Sequence, residues 1–153
     1  MVAACAGIAL FRTLADADRI EAQLQSSPDD VSARLMLLRY YRSLGNNVAA
    51  ERVKAALREH AVWVIEHHPE NPSLREPWVA LRPQGGRTAD PAAWEAADRA
   101  WRKHLAEPSI NANTYTNAAT FYQYSDRTLR TRSRPTGCMR FQPIPEWARS
   151  WAN

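Results

Sequence analysis

Residues 28–46 read Pro28-Asp29-Asp30-Val31-Ser32-Ala33-Arg34-Leu35-Met36-Leu37-Leu38-Arg39-Tyr40-Tyr41-Arg42-Ser43-Leu44-Gly45-Asn46. Val31, Leu35, Leu38, Tyr41 and Leu44 recur at spacings of three and four, and Leu37 and Tyr40 widen the row. That is the period of an amphipathic helix and not the two-residue period of a strand. The spacing predicts a helix over 30–44. Asp29 and Asp30 stand where carboxylates cap free N–H groups and favour the positive end of the helix dipole. Gly45 supplies the left-handed conformation that closes a helix.

Working outward, the same period recurs and strand signals do not. A first helix is expected over 13–25, where Ile20 and Leu24 stand four apart and Leu14, Ala17 and Glu21 share the neighbouring rows. A third runs from after Asn47 to His68, where Pro69 disfavours helical backbone at the preceding residue. Val53, Leu57, Ala61 and Val64 form one row, and Ala56, His60, Trp63 and His67 the next. Asp90-Pro91 opens a fourth helix with Trp94, Ala97, Trp101 and Leu105 on its apolar face. A fifth covers 111–125, with Tyr115, Ala118, Ala119, Phe121 and Tyr122 expected on its buried side. Between 69 and 90 lies a long connection with four prolines and Gly85-Gly86, anchored at Leu74, Trp78, Val79 and Leu81. No segment alternates strictly around an Asn-Gly or Asp-Gly turn. With 26 Ala and 18 Arg, both strong helix formers, the expected fold class is all-α, with five to six helices.

An internal correspondence organises these helices. Pro28 to Asn46 lies over Pro108 to Asp126 without gaps, with Tyr41 on Phe121. The run from Trp63 to Pro69-Glu70-Asn71-Pro72 is matched by Trp101 to Pro108-Ser109. The spacing of Tyr41, Gly45 and Ala50, and the break at Pro69, resemble the tetratricopeptide repeat. The resemblance covers roughly 28–126. It departs from the family at Leu38 and Lys54 and in the length of the 69–90 connection. It implies a right-handed stack of antiparallel helix pairs whose inner face binds a peptide or a partner protein, and it brings no catalytic residues. Tyr41, Tyr115 and Tyr122, on the second and fifth of these helices, are the candidate partner-binding residues. Tyr40 and Tyr124 belong to the same set, because tyrosine offers apolar area and a hydroxyl at low entropy cost. Trp78, in the long connection, is a candidate anchor for a partner.

The net charge of +4 and the pI near 9.4 raise the question of an anionic partner. The charge is unevenly spread. Residues 1–126 hold 14 Lys/Arg against 15 Asp/Glu, and residues 127–153 hold 6 Arg against Glu146. The chain therefore divides into an apolar segment 1–12, a near-neutral helical body 13–126 and a basic tail 127–153. The tail lacks apolar periodicity between Arg127 and Pro145, the mark either of an irregular segment or of a local frame disturbance. Arg127, Arg130, Arg132, Arg134 and Arg140 make nucleic-acid or anionic-surface binding the alternative function.

Other chemistry finds little support. The four histidines, His60, His67, His68 and His104, lack the His-Glu-x-x-His spacing of a zinc helix, so no metal site is expected. There is no phosphate loop, dinucleotide fingerprint or Gly-x-Ser-x-Gly elbow; Gly85-Gly86-Arg87-Thr88 is a lone glycine pair. No catalytic residue and no cofactor is expected. Cys5 and Cys138 stand too far apart for a paired zinc motif. Val2-Ala3-Ala4-Cys5 resembles a lipobox; with an upstream start it would mark an exported, lipid-anchored protein, and otherwise the expected compartment is the cytoplasm. No stretch reaches the roughly 18 apolar residues of a membrane span.

Overall fold

A computed structural model describes the backbone of residues 14–44 and 49–132, with side chains as far as Tyr124. Every regular element among them is helical. In chain order these are α1 (Leu14–Ser26), α2 (Val31–Ser43), α3 (Ala50–Ala56), a π-turn (Leu57–Ala61), α4 (Val62–His67), a 3-10 turn (Pro72–Arg75), α5 (Pro91–Leu105) and α6 (Ala112–Arg132). No described helix is long and apolar enough to cross a membrane.

The local signals act as their chemistry requires. The Asp30 carboxylate accepts from Ala33 N at 2.9 Å and caps α2. Asp90 does the same for α5 through Ala93 N at 3.1 Å, with Pro91 in the first turn. Asn71 caps the 3-10 turn through Ser73 N. His68 leaves helical geometry just before Pro69, closing α4.

The third helix differs from the regular rod its periodicity suggests. Between α3 and α4 the backbone widens into one π-turn, the inserted-residue geometry that lets a helix keep its direction while its inward face shifts. Leu57, His60 and Ala61 all point inward there. α6 also runs to Arg132, past Asp126, where its apolar periodicity ends. The 69–90 connection packs down through buried Leu74, Val79, Ala80 and Leu81, with Trp78 half-buried.

The helices pack mostly against their chain neighbours: α1 on α2, α2 on α3 and the π-turn, α4 on α5, and α6 on α5 and the 3-10 turn. Trp101, Leu37, Leu38, Leu57, Val53 and Val64 fill the core. The correspondence between 28–46 and 108–126 extends to burial. Arg34, Leu37, Leu38 and Tyr41 of α2 are buried, and so are Thr114, Asn117, Ala118 and Phe121, the four residues that match them in α6. That register overturns one expectation: Tyr115 lies outside the buried row and is 45% exposed. Thr114 and Asn117 take the inward positions instead.

Candidate functional site

The densest polar constellation joins α1, α2 and the π-turn. His60 is fully buried. Its Nδ1 lies 3.2 Å from Nη1 of Arg34, and its Nε2 lies 3.2 Å from Oε1 of Glu21. A guanidinium can only donate, so Nδ1 must be the acceptor. Nε2 then holds the ring proton and donates it to Glu21. In the neutral ring this arrangement places the proton on Nε2.

The surrounding groups complete a chain of bonds. Arg34, itself buried, donates from Nε and Nη2 to the carbonyl of Pro28 at 3.1 and 2.8 Å. Its guanidinium lies 4.1 Å from the Trp63 ring centroid, a cation–π contact. The Tyr41 hydroxyl donates to Oε1 of Glu21 at 3.1 Å, and Arg52 reaches both Tyr41 and Asp18. Burial raises the Glu21 carboxyl, but hydrogen bonds from His60 and Tyr41 and the charge of Arg52 outweigh it, so the group lies below its ordinary range. Burial pushes the Arg34 guanidinium down, opposed by the charges of Glu59, Glu21 and Asp29. Burial likewise raises Tyr41.

Glu21, Glu59 and His60 bring three possible ligand atoms within 4.8 Å of one another. The donor set does not fit a metal ion. A histidine that ligates through one nitrogen normally donates a proton from the other to an oxygen. Here Nδ1 faces a donor, which leaves the proton on the nitrogen a cation would need, and the Arg34 charge adds repulsion. The remaining histidines lie outside this cluster, with His68 beside Glu70 at 3.8 Å. His67 donates from Nδ1 to the Trp63 carbonyl and stacks on its ring, while His104 donates from Nε2 to the Ile65 carbonyl.

The expected partner-binding residues are not brought together. Tyr41 is 2% exposed and spends its hydroxyl on Glu21, so it belongs to the core and has no area to offer a partner. Tyr40 is buried as well. Tyr122 is half-buried and donates to Asp98 at 2.9 Å; burial first and that bond second raise its hydroxyl above the ordinary range. Trp78 packs against the core, and its carbonyl accepts from Arg42. Tyr124 is half-buried, with its hydroxyl 3.5 Å from the Arg75 carbonyl, and Tyr115 alone of the six stands clear of the core. Arg127, Arg130 and Arg132 lie on the last turns of α6, beyond the described side chains; Arg134 and Arg140, like Cys5 and Cys138, fall outside the described residues.

A depression of about 10 Å3, room for one water, lies beneath the long connection, walled by Ile65, Leu74, Val79, Ala80, Leu81, Trp101, Phe121 and Tyr124. Its walls are mainly apolar and it is too small to enclose a substrate. The periodicity of α1 already placed Glu21 on the inward row, and that of the third helix did the same for His60. What joined them to Arg34 is the π-turn, which no residue pattern announces. No protein-family model, curated protein or solved structure matches the chain.

Proposed function

We propose that the chain is a helical protein-binding module of tetratricopeptide-like type, working without catalysis of its own. One observation supports this reading above the others. The burial registers of α2 and α6 leave Met36 and positions 115–116 on the outer faces of the two helices, while Leu35 packs against the core. Met36 (38% exposed) and Tyr115 (45%) stand there, two of the three large apolar residues exposed among the described ones. A tyrosine and a methionine are well suited to a surface that must fit a partner, one rigid and amphipathic, the other adaptable. The Arg34–His60–Glu21 chain serves as the internal brace of such a module, because each of its groups is spent on another group of the protein.

Photo-crosslinking tests the reading. A benzophenone amino acid is placed at Met36, at Tyr115 and, as control, at exposed Gln25 of α1, in the full chain within its native cells. A discrete adduct from positions 36 and 115, absent from position 25, is the expected result. Equal labelling at all three positions, or none at 36 and 115, refutes the assignment.

A further inference from the structure

The last turn of α2 holds a cation, Arg42, that has no carboxylate partner among the described residues. Arg42 reaches across to the 78–88 connection. It donates from Nε to the Trp78 carbonyl at 3.0 Å, from Nη1 to Thr88 Oγ1 at 2.8 Å, and from Nη2 to the Ala80 carbonyl. All three acceptors are neutral. Among the described residues no carboxylate lies within ion-pair distance of Arg42. Burial first, and the neighbouring charge of Arg82 second, push Arg42 down to about 10.

The surroundings repeat this one-sided chemistry. Arg82 is exposed and its guanidinium makes no hydrogen bond or ion pair to a described residue. Of the nearest acids along the loop, Glu76 is exposed and outside ion-pair distance of both arginines, and Asp90 is already committed: Arg58 donates to its Oδ2 from Nε and Nη2, and its Oδ1 caps α5. A guanidinium has five N–H groups, so Arg42 retains one donor on each terminal nitrogen. The Thr88 hydroxyl, having accepted from Arg42, keeps its own proton to donate. Gly85 and Gly86 turn the loop with φ of 78° and 81°, and nothing lies within 4 Å of where a Gly86 side chain would begin. The result is two positive charges and a hydroxyl donor beside an exposed glycine turn.

We propose that Arg42, Arg82 and Thr88 form a binding site for a phosphate-type oxyanion. The donors call for a ligand made only of acceptors, and the two unmatched charges call for one near −2. A phosphate group meets both conditions at neutral pH. Charge-assisted bonds from paired guanidinium groups are the usual means of holding it. This site is built from α2 and the long connection, and it does not rest on the protein-binding reading.

The test is titration calorimetry on the full chain at constant ionic strength, with chloride as the reference anion. Inorganic phosphate and O-phosphoserine are titrated separately. Binding of both assigns the site to phosphate monoesters, and binding of inorganic phosphate alone assigns it to the free anion. Arg82→Gln removes an exposed side chain that the fold does not use, and it should weaken binding about tenfold. Arg99→Gln, an equal loss of charge on the exposed side of α5, should leave binding unchanged. Failure to bind either compound, or the same affinity in the two variants, overturns the proposal.

Discussion

Replacing His60 with Leu tests the internal brace, because leucine keeps the apolar bulk and removes both ring nitrogens. Two bonds disappear. The Arg34 N–H that pointed at Nδ1 is left buried beside a charge, and a lost bond to a charged group costs about 1.5–3 kcal/mol. Glu21 loses the Nε2 donor, but its carboxylate is 31% exposed and retains Tyr41, so water limits that loss to about 0.5–1 kcal/mol. The added apolar burial returns about 1 kcal/mol. The net expectation is a destabilisation of about 2 kcal/mol. Arg34 stays in place through its two bonds to Pro28 and the Trp63 ring, so the helices should remain associated. Urea unfolding followed by far-ultraviolet circular dichroism measures the difference. The double variant Arg34→Met with His60→Leu removes the orphaned donor and should lose about 1 kcal/mol less than the two single changes added together. Long-range 15N–1H correlation of the imidazole reads the tautomer directly. A His60→Leu protein within about 0.5 kcal/mol of the parent, or a ring protonated at Nδ1, would refute the bonding scheme.

Four further outcomes follow from the same geometry. Glu21 and Asp90 both titrate below their ordinary values of 4.5 and 3.8, so each contributes stability that is present above those values. That stability should fall as pH drops through the lower folded-state values, and Arg58→Gln should reduce the Asp90 part of the loss in an acid unfolding series. Asn117→Ala strips the donor from the carbonyls of Pro69 and Asn71, which Nδ2 reaches at 2.8 and 2.9 Å, and should cost about 2–3 kcal/mol in urea unfolding. Gly86→Ala meets no steric obstacle but must hold a positive φ, so a loss of about 1 kcal/mol is expected from backbone strain alone. Zinc added in excess should leave the melting temperature unchanged, because the His60 proton occupies the nitrogen that a metal at Glu21 and Glu59 would need; a zinc-dependent rise abolished by His60→Leu would contradict the tautomer.

The helices were legible because helix formation is largely a local matter. The caps at Asp30 and Asp90, the stop at Pro69 and the inward rows of α1 to α5 all depend on residues within a few positions of one another. The failures share a different cause. Tyr115 was expected on the buried side of the fifth helix, and Asn117 is buried there instead. The packing of α6 against the Pro69–Arg75 segment reverses that choice. Two backbone carbonyls exposed by the proline break need donors, and an asparagine amide supplies both. Tyr41 stood in the apolar row of α2 and was also a candidate for the partner surface; Glu21 on another helix gives its hydroxyl a buried use. Each reversal depends on a partner more than fifteen residues away, which no local pattern contains.

Arg34 and Arg42 show why the charge total of this chain was a poor guide to its chemistry. They stand eight residues apart on one helix, and both reach backbone carbonyls of a neighbouring segment. Arg34 is enclosed by an imidazole lone pair, an aromatic face and the nearby charges of Glu21, Glu59 and Asp29, so its charge is answered within the fold. Arg42 meets only neutral oxygens and a second arginine. Burying an unanswered charge is costly, and a fold tolerates it where an opposite charge arrives from outside. The near-neutral sum over residues 1–126 hides this contrast, because a sum weighs Arg58 on Asp90 and Arg42 on nothing alike. Where each charge finds its partner, more than the +4 of the whole chain, determines where an anion would bind.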